Sequence, residues 1–168
     1  MFDNVHQFYR EAEKFGKVLD AFIQNYGLTN SVIADHICYK CSSSDVFENI
    51  RRIFENDSKW IYQTIISGRR IAIIRTKQSL KTSVGNISLV ELSDQKPNGN
   101  QSDGFDHIEI YPISKTYEEL VSDLKSQGLD VNEIVRPHHT THDIKREDGF
   151  IIRLTRESLA EKIKQEQM

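Results

Sequence analysis

No stretch of this chain stays apolar over the roughly 20 residues that crossing a bilayer takes, so no membrane-spanning helix is expected. Charge of one sign is not in excess either. The 22 Lys and Arg stand against 25 Asp and Glu, a net charge of −3 with both signs interspersed. Such a balance exerts no long-range pull on nucleic acid or on an anionic membrane, and neither is an expected partner. Cysteine is scarce. Cys38 and Cys41 stand three apart on a predicted strand, hence on opposite faces, which argues against a mutual disulfide or a zinc clip. The opening Met1-Phe2-Asp3-Asn4 has neither the basic start nor the apolar stretch of a secretion signal, and the expected location is the cytoplasm. Also missing are a glycine-rich phosphate loop, a nucleophile elbow and an HExxH helix.

What the chain does have is a repeat. Asp35-His36-Ile37 returns as Asp106-His107-Ile108, an offset of 71 residues (106 − 35). At the same offset Ser43 falls on Ser114, Glu48 on Glu119, Ile50 on Val121 and Ile53 on Leu124. One supersecondary unit used twice would set two equivalent strand histidines near a pseudo-two-fold axis. Two facing imidazoles are the start of a metal site. The 168 residues, 38% hydrophobic and 28% charged, suit a single domain or two small units sharing a core.

Periodicity supplies the elements. From Val5 to Tyr26 apolar residues recur at steps of three and four, which predicts a helix over 4–26 with Gly27 as its stop. A first unit then runs strand (32–41), helix (Val46, Phe47, Ile50, Ile53 and Phe54 on one side), hairpin (60–66 and 70–76 through Ser67-Gly68-Arg69) and strand (86–92). The polar segment 93–104, with two glycines and a proline, is the clearest linker. The order repeats as strand 105–111, helix 115–127, weaker strands 132–136 and 140–146, and strand 150–155 after Asp148-Gly149. A last amphipathic helix is expected from Arg156. The expected class is α+β. It holds an N-terminal helix (1–30), a first βαβββ module (31–93), a linker (94–104), a second βαβββ module (105–155) and a C-terminal helix (156–168), within one domain.

Strand alternation sorts the side chains. Ile37 and Tyr39, Val90 and Leu92, Ile108 and Ile110, and Ile152 and Leu154 make aliphatic faces suited to packing under helices. The opposite faces carry His36, Glu91, His107, Glu109 and Arg153 in mid-strand. Burying unpaired charges costs several kcal/mol, so this second face is expected to line a polar cavity. His36, Glu91 and His107 suit a divalent cation such as zinc, iron, manganese or nickel, and three protein ligands leave positions open for water or substrate. Glu109 lies two residues from His107, roughly 6.6 Å along the strand, and an acid/base role fits it better than ligation. Aligning Val90-Glu91-Leu92 on Ile152-Arg153-Leu154 puts a guanidinium where symmetry wants a second carboxylate. Arg153 would either hold a substrate anion or pair with Glu91 or Glu109.

His138, His139 and His142 form another cluster, read either as a polar loop entering an edge strand or as the source of a fourth ligand, with His142 favoured. His6, on the first helix, reads as incidental. Cys38 shares the face of His36 and is expected to serve packing.

Paired strand-helix-strand-strand-strand units, with His in the first strand and Glu in the fourth, resemble the vicinal oxygen chelate superfamily of glyoxalases, ring-cleaving dioxygenases and antibiotic-resistance proteins. Ala34-Asp35-His36-Ile37, Gly68-Arg69, Val90-Glu91-Leu92 and Gly104-Phe105-Asp106-His107-Ile108-Glu109-Ile110 are similar to the YecM branch, from about residue 10 to the last helix. The resemblance implies two modules whose mixed sheet curves into a cup around a metal, with ligands on the first and fourth strands of each. Carried over, these are His36, Glu91 and His107, and Arg153 departs from the pattern at the fourth position.

The expectation is a divalent-metal-binding protein, an isomerase, lyase or oxygenase acting on a small oxygen-rich molecule, with Glu109 moving a proton and Arg153 orienting an anion. One alternative is a non-catalytic small-molecule-binding module. The other is an interaction protein with a vestigial cup, whose terminal helices join a homodimer.

Overall fold

Asn4 begins the first helix by accepting a hydrogen bond from the Gln7 N–H at 3.0 Å, and α1 (Val5–Asn25) runs until Gly27 turns left-handed at φ +65°. The computed structural model describes residues 1–137 and 139–167. The first module is β1 (Val32–Lys40), α2 (Ser44–Ile53), β2 (Ser58–Ile66), β3 (Arg69–Thr82) and β4 (Gly85–Ser93). The second is β5 (Gly104–Pro112), α3 (Tyr117–Ser126), β6 (Asn132–Val135), β7 (Thr140–Lys145) and β8 (Ile151–Leu154), and α4 (Leu159–Gln167) ends the chain. Ser43 caps α2, and Thr116 and Glu119 form a reciprocal capping box on α3.

All eight strands join one mixed sheet in the order β2-β3-β4-β1-β5-β8-β7-β6. β1 and β5 pair antiparallel at its centre, and each has its module's last strand parallel on its outer side. The architecture is α+β, with one module's strand order mirrored by the other's. On one face of the sheet Phe8 and Leu19 of α1, Phe47 and Ile50 of α2 and Leu120 and Leu124 of α3 meet Ile37, Leu92, Ile108 and Ile152 in a single buried cluster. Each such side chain contributes roughly 1.5–3 kcal/mol by leaving water. The apolar face of α1, one candidate for pairing with a second copy, is thus used inside its own chain.

Two elements differ from the periodicity reading. β3 extends to Thr82 rather than Thr76, because after an irregularity at 76–79 its backbone pairs again with β4 from Leu80 opposite Ile87. The polar Lys77-Gln78-Ser79 resembles a loop by composition, yet the Gln78 carbonyl accepts hydrogen bonds from Tyr9 and Thr76. α4 starts at Leu159, three residues beyond the expected Arg156.

A finer feature positions the site. Val32 and Ala34 face the helices, but so do Ile37 and Tyr39, which strict alternation forbids. The register skips Asp35 between Ala34 and His36, and skips Asp106 between His107 and Phe105. Each aspartate of the repeated motif is the extra residue of a β-bulge, and the bulge turns the following histidine away from the helices.

Candidate metal centre

The face away from α1, α2 and α3 lines a cavity of about 800 Å³ that includes His36, Glu91, His107, Glu109 and Arg153. Across the central pair Cys38 lies opposite His107 and His36 opposite Glu109, so the two histidines sit diagonally. Their ring centroids are 5.7 Å apart at an interplanar angle of 78°. His36 Nε2 lies 3.4 Å from Glu91 Oε2 and 3.2 Å from Glu109 Oε2. One ligand atom each from His36, Glu91 and His107 fall within 4.8 Å of one another. The three residues singled out as ligands in the sequence therefore converge. Glu109 comes closer than strand rise suggests, because cross-strand pairing faces it to His36 and leaves Oε2 only 3.8 Å from His107 Nε2.

The aspartates of the repeat have a part that the sequence reading did not assign. Asp35 Oδ2 is 2.8 Å from His36 Nδ1, and Asp106 Oδ2 is 2.7 Å from His107 Nδ1. A carboxylate on Nδ1 holds the proton there and turns Nε2, with its lone pair, into the cavity. The signal was available, since Asp precedes His in both copies. Asp35 also accepts the Leu159 N–H at 2.8 Å, and Asp106 also pairs with Lys40 at 2.8 Å.

Electrostatics separate the two histidines. Burial alone would lower the pKa of His36, but the carboxylates of Glu109, Asp35 and Glu91 outweigh it and hold it well above the ordinary value. For His107 burial wins, helped by the Arg153 charge, and the pKa falls below the ordinary value despite Asp106. Burial would raise Glu91, yet His36 close beside it brings it down to about 2. Burial works the same way on Glu109, where His36 and Lys162 more than reverse it and hold the carboxyl well below the usual range.

Arg153 does not pair with either glutamate. Its Nε and Nη2 donate to Asp143 at 2.8 and 3.0 Å, a fork-to-fork pair with a residue the sequence reading left aside, and not to Glu91 or Glu109. Its Nη1 lies 3.2 Å from His107 Nε2. A second unassigned residue is Lys162 on α4, whose Nζ lies 3.3 Å from Glu109 Oε1 and donates to Thr155 Oγ1 at 2.8 Å. The helix is seated there by Ile163, which packs with Ile71, Ile73 and Leu89 on the cavity side of the first module. That end of the cavity is apolar, where a wholly polar lining was expected.

His142 is corrected by register. It pairs with Leu154, whose side chain is in the helix-covered core, and its Nδ1 lies 2.7 Å from the Tyr117 hydroxyl under α3. It faces away from the cavity and supplies no fourth ligand. His139 lines the cavity rim, His6 is exposed on α1, and His138 lies outside the described residues. Cys38 is fully buried beside Glu91 and could also be grouped with Asp106 and His107 as a ligand set; burial pushes its thiol pKa up. Cys41 is in the core, so the two cysteines lie on opposite faces, both free.

Residues 4–166 match the model of the YecM protein family. The chain belongs to the YecM family. Protein YecM of Escherichia coli is 27% identical over 109 residues, covering 64% of this chain and 58% of that protein. The match thus spans little more than half the length of that relative. Among solved structures, the structural-genomics Protein EC4020 superposes with a TM-score of 0.75 at 23% identity, over 98% of this chain and 94% of its own. A methylmalonyl-CoA epimerase in complex with methylmalonyl-CoA gives 0.51 at 15% identity, over 78% and 97%. The 2,2',3-trihydroxybiphenyl 1,2-dioxygenase of Sphingomonas wittichii gives 0.53 at 13% identity, over 77% of this chain and 42% of its own. The YecM-family fold here is the vicinal oxygen chelate fold. No helix among the described residues is long and apolar enough to cross a membrane.

Proposed function

We propose that the cup binds one divalent cation through His36, Glu91 and His107 and is the site of a metal-dependent isomerase, lyase or oxygenase reaction on a small oxygen-rich molecule. One observation carries this reading. His36 Nε2 is buried without a hydrogen-bond partner and faces two carboxylate oxygens. With the Nδ1 proton given to Asp35, three lone pairs would point at one another, an arrangement only a proton or a cation relieves. The donor set of two imidazoles and a carboxylate suits zinc, iron, manganese or nickel.

When bound, the ion would act as a Lewis acid towards a substrate oxygen. The protein's own groups do the rest. Asp35 and Asp106 fix the imidazoles in the orientation that presents Nε2. Glu109, kept ionised by His36 and Lys162, accepts a proton from substrate carbon or oxygen, and Lys162, itself held by Thr155, fixes the position of the carboxylate. Arg153, held flat by Asp143, offers Nη1 to an anionic group of the substrate. Ile71, Ile73 and the end of α4 keep water from one side of the cavity. The same fold in an epimerase and a dioxygenase is compatible with this reading. The cytoplasm is the compartment we assign to it.

A second reading has its own observation. Arg153 Nη1 lies 3.2 Å from His107 Nε2, where it competes with a metal for that lone pair. In that case the cup is a metal-free small-molecule-binding module. Elemental analysis and manganese or zinc titration separate the two. The metal-dependent reading expects one equivalent per chain, lost on His36→Ala/His107→Ala with the fold intact by circular dichroism. Failure to take up metal on reconstitution would leave the binding module standing.

A further inference from the structure

Among the cations that line the cavity, Arg153 is matched by Asp143, Lys162 by Glu109, and Lys40 by Asp106, whereas Arg69, Lys96 and Arg136 have no such partner among the described residues. Of these three, Arg136 is the one that feels the Arg153 charge. Among the described residues no carboxylate lies within 4.0 Å of it, and its Nη1 donates to the neutral Thr141 hydroxyl. It is half-buried at the cavity wall, in the turn between β6 and β7, where its N–H donates to the His139 carbonyl at 3.0 Å. That turn brings a second basic group, the His139 imidazole, to the same wall.

We propose that Arg136, with His139 beside it, is the recognition point for an anionic group of the substrate, a carboxylate or phosphate, so that the cup takes a small acid or phosphoester rather than a neutral molecule. This rests on reading the cup as a substrate site, and not on the metal. The physical case is a mismatch. Drawing a guanidinium partly out of water without a counter-charge is unfavourable, and doing so beside other cations is more so. Burial and the Arg153 charge both press the Arg136 pKa down, and burial with Lys162 and Arg136 does the same to His139. Glu109, Glu91 and Asp143 act in the opposite direction on Arg136, but each is already engaged by His36, Lys162 or Arg153. An incoming oxyanion would supply the missing partner and accept the planar donor pair of the guanidinium. The apolar end of the cavity, against Ile71 and Ile163, would then hold the rest of the molecule.

The test is calorimetric titration of the chelator-treated full chain with inorganic phosphate and, separately, with malonate. Wild-type protein is expected to bind one or both, and the tighter of the two names the source of the charge. Arg136→Gln is expected to weaken that binding by about tenfold or more, and Arg136→Lys to restore part of it. Arg146→Gln, a substitution outside the cavity lining, should leave it unchanged. Binding that persists in His36→Ala/His107→Ala shows the anion site standing without the metal centre, whatever the metal titration gives. The proposal is overturned if neither anion binds wild-type protein, if Arg136→Gln binds as wild type does, or if only the double histidine variant loses binding.

Discussion

The two modules repeat a backbone but not a chemistry. In the first, the cavity side shows His36, Cys38 and Glu91; at the matching places the second shows His107, Glu109 and Arg153. Both keep the bulged aspartate before the histidine, so the frame that aims the imidazoles is common property. What differs is the charge around each ring. His36 owes its raised basicity first to Glu109 across the central pair and in smaller part to Asp35 and Glu91, whereas burial and then Arg153 suppress that of His107. Duplication thus supplies symmetric placement, and substitution puts a carboxylate in one half where the other has a guanidinium.

The comparison can be broken most forcefully in the core. Ile50 of α2 and Leu124 of α3 are both fully buried in the same cluster. Ile50→Ala and Leu124→Ala should each cost about 2–5 kcal/mol in a single unfolding transition. Two transitions, one per variant, would mean the halves fold separately. Next are the aspartates. Asp106→Asn and Asp35→Asn should each weaken manganese or zinc binding about 10- to 100-fold by releasing the imidazole orientation. Asp35→Asn should in addition loosen α4, read by faster hydrogen exchange at Leu159, because Asp35 alone of the two holds that helix. Equal exchange in the two variants would remove this asymmetry.

A subtler test restores symmetry. Asp143→Asn/Arg153→Glu removes the guanidinium beside His107 and puts a carboxylate at the fourth position. Metal affinity should rise by about tenfold, by analogy with sites tuned through ligand charge, as measured against an indicator chelator. No change would show that Arg153 does not compete for the lone pair. The smallest effect lies at the caps. Thr116→Ala, which breaks a reciprocal box, should cost about 1–2 kcal/mol, and Ser43→Ala, which removes one hydrogen bond, about 0.5–1 kcal/mol, by denaturant melts.

Much of this arrangement was legible in the chain. The repeat named both strand histidines, and alternation set Glu91, Glu109 and Arg153 on their face. Where the reading missed, the cause was contact between residues distant in sequence. Asp143 is ten residues from Arg153 along the chain but directly across from it in the β7–β8 ladder. Lys162 reaches Glu109 only because α4 folds back over the sheet. His142 lay one residue off the cavity phase, and strand phase is settled by pairing rather than by composition. The polar stretch of β3 is held by hydrogen bonds to Tyr9 of α1 and to the Asp57 carbonyl that no local pattern announces.

By itself, then, the order of residues determined the elements, their duplication and the faces they present, because period and caps are local properties of the backbone. Which side chains meet across the sheet was decided only by tertiary pairing. A one-residue bulge at each Asp-His step reverses alternation, and the register of the central antiparallel pair sets which groups stand within reach of one another. These are properties of two strands together, and neither strand carries them alone.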